Sequence, residues 1–266
     1  YLNNDRARSI VERNFEQVAD WMAESTKTYI RNHRDCLIGH GASSMRQISR
    51  LTLFHADTVN AIVNRINGII TGLTNGRAAR LHVMILAGIA GGTGSGTVID
   101  LTYLIRSIFE DARPAANDQF AGFIFLPPVG NEADTNRIKH GNTNGYAALK
   151  EINHFMGNAK PDVDADGIVA DMYNFTLGGR HIISRKNIFD ICYLLDGHIG
   201  NIHFASPEGI ADKVLAECLL DMICSFPSGG APAVSSFLAD RGTFMREMVG
   251  GETSAVAPRD CDYVYC

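Results

Sequence analysis

The sequence predicts an α/β domain in three layers, a mostly parallel sheet flanked by helices. Three observations carry that prediction. Short continuous apolar runs, "LHVMILAGI" (81–89), "FAGFIFLPP" (120–128) and "IFDICYLLDG" (188–197), have the length and composition of strands buried on both faces. Segments of helical period lie between them. A polar loop follows each run, at 90–97, 128–144 and 196–206. In a parallel sheet such loops gather on one rim, beyond the carboxyl ends of the strands, where ligands bind.

Taken in order, residues 5–30 place Ile10, Val11, Phe15, Val18 and Met22 at helical spacing. Residues 31–50 are polar and read as a loop leading into a short helix. Asp57 is placed to cap the next helix, whose apolar face is Val59, Ile62, Val63, Ile66, Ile70 and Leu73. "NGR" at 75–77 ends it. After the first strand, residues 97–111 put Val98, Leu101, Leu104, Ile105 and Ile108 on one helical face. Pro127-Pro128 stops the second strand. Residues 129–143 read as a polar loop, and 144–156 as a helix with Tyr146, Leu149, Ile152 and Phe155 inward. Residues 157–187 are polar with no clear period and read as a surface excursion. Ser206 as N-cap and Pro207 at the first helical position open a helix over 206–226, with Ile210, Val214, Cys218, Leu219, Met222 and Ile223 on its apolar face. Beyond 226 the chain is Gly/Pro/Ser-rich to 235 and weakly patterned thereafter. The chain begins on Tyr1 and ends on the alternating run "DCDYVYC", so it is expected to be a piece of something longer.

The 266 residues are 45% hydrophobic and 20% charged, the composition of an ordinary globular protein. A net charge of −5 and the absence of any Lys/Arg run argue against a nucleic-acid binder with a basic face. No apolar stretch approaches the roughly 20 residues of a membrane span. The six cysteines form no C-x-x-C pair and read as reduced thiols buried as small hydrophobes. The nine histidines are scattered and suggest neither a catalyst nor a metal site.

The chemistry concentrates in "AGIAGGTGSGTVIDLTYLI" (87–105). A strand, a glycine-rich turn and a helix together offer free backbone N–H groups and the positive end of a helix dipole, and both favour phosphate. Thr93, Ser95 and Thr97 add hydroxyls. A tight turn without a ligand is the plain alternative, but it needs fewer glycines. A P-loop would require lysine where Thr97 stands, although Gly91 and Gly96 have its glycine spacing. A dinucleotide fingerprint would require a third glycine at Thr97 and an acid where the next strand ends in Pro127-Pro128.

The string G-G-T-G-S-G between a buried strand and a helix is identified as the signature loop of the tubulin/FtsZ superfamily. "AGGTGSGTVIDLTYLIR" resembles in particular the bacterial tubulin-like proteins, as do "NGYAALKE" after "FLPP" and "FDICYLLDG" before a long helix. The resemblance covers roughly 40–230. It implies a nucleotide-binding domain in which the loop wraps the phosphates of GTP or GDP. Backbone, helix dipole and Mg²⁺ would do there what lysine does in a P-loop. It implies phosphate contacts from Gly91, Gly92, Thr93, Gly94, Ser95, Gly96 and Thr97. Gly41, Ser43 and Ser44 of "GHGASSMR" would lie on the γ-phosphate side. It implies ribose and base contacts from Arg137, Asn142, Asn144, Asp196, Asn201 and Asp212, a carboxylate being suited to the donor edge of guanine. Each has a plainer reading: Arg137 as a solvated charge, Asn142 and Asn144 as helix caps, Asp196-Gly197 as a turn, Asp212 as a partner of the helix dipole.

The resemblance further implies that the family's first strand and its C-terminal domain lie outside the chain. Residues 1–226 would then be a partial GTP-binding domain and 227–266 the start of a connector. The family's catalytic acid falls in 227–240, where Asp240 is the one acid and the expected pattern is missing, so no catalytic residue is assigned. The function implied is a cytoplasmic GTP-binding protein that polymerises longitudinally with copies of itself, hydrolysis being coupled to subunit contacts. The alternative is a non-polymerising, nucleotide-dependent scaffold that recruits partners, with 157–187 as its partner surface. A dinucleotide or flavin enzyme is the weakest reading, because both fingerprints fail.

Overall fold

The computed structural model describes residues 21–32, 45–75, 80–127, 135–158 and 172–195, with short strand pieces at 198–199, 202–203 and 263–265. The backbone groups into two compact units, 1–196 with 260–266, and 197–259. In the second, the described pieces are strands β6 (His198–Ile199) and β7 (Ile202–His203), paired antiparallel.

The first unit is α/β. Helices α1 (Glu24–Asn32), α2 (Arg46–Leu51) and α3 (Ala56–Thr74) precede strand β1 (His82–Gly88). Helix α4 (Gly92–Ala112), strand β2 (Gln119–Phe125) and helix α5 (Thr135–Asn153) come next. Strands β3 (Tyr173–Leu177) and β4 (Arg180–Ser184) form a hairpin ahead of β5 (Ile191–Leu195), and β8 (Tyr263–Tyr265) completes the set. The sheet order is β1-β2-β5-β8, all parallel. The parallel sheet flanked by helices is therefore as the sequence predicts.

Helix α4 is the centre of the core. The five apolar positions assigned to its inner face are buried or half-buried, but Ile99, Tyr103 and Phe109 are buried too, so it is enclosed nearly all round. It packs with Phe120, Ile124 and Cys192 from one face of the sheet. Burial of each such side chain contributes on the order of 1.5–3 kcal/mol. On the opposite sheet face Phe123 stacks on Tyr193, centroids 4.8 Å apart.

Four local expectations change. Strand β1 is not buried on both faces: it lies at the sheet edge among the described residues, and Leu86 is 46% exposed. The N-cap position of helix α3 is His55, which makes no side-chain capping hydrogen bond, and Asp57 lies in the first turn. Its end is as expected, Asn75 taking the left-handed conformation with φ of 43°. Helix α5 starts at Thr135, inside the expected loop, and its Tyr146 points outward, 67% exposed, while Ile152 is fully buried. The excursion at 157–187 contains the β3–β4 hairpin. It turns on Gly178-Gly179, both at positive φ, as a two-residue hairpin loop demands. Tyr173, Leu177 and Ile182 place the hairpin's inner face in the core. The helix expected at 206–226 and the segment at 5–20 lie outside the described residues.

Candidate functional site

The strand ends set the level of the rim. Gly88 lies opposite Phe125, and Phe125 opposite Leu195. The ladder continues one step further, Ile89 N–H donating to the Phe125 carbonyl at 3.0 Å and Leu126 N–H to the Leu195 carbonyl at 2.8 Å. The carboxyl ends of β1, β2 and β5 thus finish side by side, as the chain order predicts.

At that level the chain passes from β1 into α4 with almost no loop. The helix starts at Gly92, five residues before the periodic pattern at 97, so most of the glycine-rich string is helical first turn. Gly91 is the N-cap, extended at φ −83° and ψ 165°, and no side chain caps the helix. The first backbone N–H groups, which have no carbonyl partner within a helix, are left to the rim. No acidic residue sits in this first turn, so the positive end of the helix dipole is unopposed there.

The three hydroxyls divide. Ser95, buried at 1% exposure, donates back to the Gly91 carbonyl. Thr97 donates back to the Thr93 carbonyl at 2.8 Å. Thr93 stands exposed at the mouth of the turn. The glycines divide as well. A methyl at Gly91 would meet nothing, whereas one at Gly94 would overlap the Gly88 carbonyl and one at Gly96 the Arg46 carbonyl. Two glycines therefore let helix and neighbouring backbone approach, and Gly91 faces open space.

Two side chains brace the turn. Asn144, 8% exposed on α5, donates its amide N–H to the Ala90 carbonyl at 3.1 Å. Arg46, at the start of α2, donates from Nε and Nη2 to the Ser95 carbonyl at 3.1 and 2.8 Å, and its guanidinium also grips Glu151 of α5. One helical turn along α2, Arg50 holds Asp100 with Nε–Oδ2 at 2.7 Å and Nη2–Oδ1 at 3.1 Å. Tyr173 donates to the same Asp100 at 2.7 Å. Burial, and then the Asp100 carboxylate, push the Tyr173 phenol far above its ordinary pKa, so it stays a neutral donor. The two carboxylates beside the first half of α4 are thus each matched to an arginine.

Of the expected ribose and base contacts, Asn142 and Asn144 lie within α5 rather than at its start, which excludes the capping alternative. Two positions apart, they take different faces: Asn142 is exposed and Asn144 buried. Arg137 falls in the first turn of α5. Gly41, Ser43, Ser44, Asp196, Asn201, Asp212 and Asp240 lie outside the described residues. Arg46, Arg50 and Tyr173 are not found by motif reading. The available signal is Asp100, a carboxylate set among Val98, Ile99 and Leu101, which requires a buried partner.

Among the described residues no group of three potential metal ligands occurs, and no helix is long and apolar enough to cross a membrane. Cys192 is a free, fully buried thiol. A family model described as "Tubulin like" matches residues 1–249. No curated protein and no solved structure matches the chain.

Proposed function

The chain belongs to the tubulin-like family, and from that premise we propose that it binds GTP and GDP at the turn opening α4 and assembles end to end with copies of itself. GTP hydrolysis is coupled to contacts between successive subunits, in the cytoplasm. The observation that carries the reading is the uncapped helix start at Gly91–Thr93, free of acidic residues and level with three strand ends. Phosphate oxygens accept there from the N–H groups of Gly92, Thr93 and Gly94, and from the exposed Thr93 hydroxyl. The open space at Gly91 allows the close approach. Asn144 and Arg46 act indirectly, by fixing the carbonyls of Ala90 and Ser95.

Gly41 and Ser43 belong to the terminal-phosphate side. Arg137, Asn142, Asp196, Asn201 and Asp212 belong to the ribose and base side. Mg²⁺ is held chiefly by the nucleotide's phosphates and by water, as this ion usually is, rather than in a protein cage.

Titration of the purified protein with GTP, GDP, ATP and NADH, with light scattering in parallel, tests the reading. Saturable GTP and GDP binding and growth of scattering with GTP are expected. Saturable GTP binding without assembly would replace the filament by a scaffold, and NADH binding in place of GTP would sink both.

A further inference from the structure

Helix α5 has two unlike faces. The inner face holds the rim. Asn144 donates to the Ala90 carbonyl, Gly145 lies so close to Pro127 that a methyl there would overlap the ring, and Ile152 is fully buried. The outer face carries Lys139, Tyr146 and Lys150, seven and then four residues apart, a spacing that sets them in one row along the helix. All three are exposed, Tyr146 to 67%.

The row is positive and unmatched. Lys150 Nζ lies 5.7 Å from the centre of the Tyr146 ring, and neither lysine has a carboxylate partner among the described residues. The one acid in α5, Glu151, is taken by Arg46. By contrast Lys27 pairs with Glu24 and Lys186 with Glu110. A chain of net charge −5 thus presents two unpaired lysines on either side of an exposed aromatic ring.

The charge decides the occupant. Two lysines are too few to hold a nucleic-acid backbone against that net charge. Glu24, Glu110 and Asp111 are engaged in ion pairs of their own, so the described surface of a second copy has little to offer the row. The two lysines stand about 16 Å apart along the helix axis, the span of about five residues of extended chain. We propose that the outer face of α5 docks a short acidic peptide segment of a partner protein, with carboxylates at Lys139 and Lys150 and an apolar side chain against the Tyr146 ring. Exposed ion pairs are individually weak and screened by salt, so the docking is weak and salt-dependent. It does not rest on nucleotide binding at the rim.

The intact protein is titrated into a fluorescein-labelled peptide, Glu-Glu-Gly-Leu-Gly-Glu-Glu, and anisotropy is read. Its lysine counterpart, vesicles containing phosphatidylserine and a single-stranded DNA oligonucleotide are tested alongside. Saturable binding of the acidic peptide alone is expected, weakened at least about five-fold when ionic strength rises from about 0.05 to about 0.3 M. Lys139→Glu combined with Lys150→Glu abolishes it, and Tyr146→Ser weakens it at least about three-fold, both with the urea midpoint of the parent. No saturable binding, equal binding of the lysine peptide, or unchanged affinity in the folded double variant would overturn the proposal. So would vesicle or DNA binding, or concentration-dependent self-association, that is lost in the double variant, since the face would then belong to a different occupant.

Discussion

A methyl group on Gly94 would overlap the carbonyl oxygen of Gly88, so the first turn of α4 is pressed against the last residue of β1. Propensity alone would make Gly94→Ala favourable, since alanine is about 1 kcal/mol better than glycine in a helix. Overpacking against backbone, which cannot rotate away, costs typically ~1–3 kcal/mol. The packing effect wins, and Gly94→Ala is expected to lower stability in urea melts. A midpoint at or above that of the parent would mean that helix and strand do not meet as described.

Gly91 supplies the contrast. Its backbone is extended and a side chain there meets nothing, so Gly91→Val is expected to change stability by less than about 1 kcal/mol. The added group projects from the N-cap, where the phosphates are proposed to lie. GTP affinity should then fall at least about tenfold, equivalent to roughly 1.4 kcal/mol. Isothermal titration on both variants separates a packing effect at Gly94 from a ligand effect at Gly91. Unchanged GTP affinity in Gly91→Val would place the phosphates elsewhere.

The Tyr173 hydroxyl ties the hairpin to the helix that carries the turn. Tyr173→Phe keeps the ring, which stacks on Tyr103 with centroids 4.2 Å apart, and removes only the bond to Asp100. A hydrogen bond to a charged group is worth about 1.5–3 kcal/mol. Asp100→Ala leaves both the partly exposed Arg50 and the buried Tyr173 hydroxyl without their acceptor and should cost more, up to about 3–5 kcal/mol. Denaturant melts of both variants check the order, and a smaller loss for Asp100→Ala would contradict it.

Cys192 is fully buried, and burial pushes its thiol up to about 12. The thiolate is the reactive form, so near neutral pH the folded protein should leave this side chain unlabelled by thiol reagents. Peptide mapping after a short pulse of iodoacetamide should find Cys192 modified in denaturant only. Labelling under native conditions would show that β5 opens readily.

What depends on local pattern is legible in the sequence. The three strands were legible because continuous apolar runs ended by Pro127-Pro128 or glycine have few other uses. The left-handed helix end at Asn75 was legible for a similar reason. What escaped depended on distant neighbours. The glycine string looked like a loop because glycine is poor in helices, but Gly94 and Gly96 are helical and bare for the sake of Gly88 and Arg46. Tyr146 looked inward by spacing, although Ala148, Ile152 and Met156 hold the buried side of that segment. The hairpin was hidden by its polar outer positions Asn174, Thr176 and His181, which mask the alternation of Tyr173, Leu177 and Ile182.

Arg113 and Asp118 close the end of the sheet opposite the rim, and they give a pH test. Arg113 Nε donates to Asp118 Oδ2 at 2.8 Å and Nη2 to Oδ1 at 3.0 Å, while the Leu81 N–H donates to Oδ1 at 2.8 Å. Burial pushes the Asp118 carboxyl up, but the Arg113 and Leu81 hydrogen bonds and the charges of Arg113 and Arg80 outweigh it and hold the pKa below the ordinary carboxylate value. In the unfolded chain the group returns to that ordinary value, about 3.9. The unfolded state therefore binds more protons in this range, and stability rises with pH. The contribution is fully present above about pH 4 to 5 and is lost as pH falls through the lower folded value. Asp118→Asn is expected to reduce stability at pH 7 and to flatten its decline below about pH 4. Parallel acid-dependent melts of parent and variant check this. An equal slope in both would assign the acid sensitivity to other carboxylates.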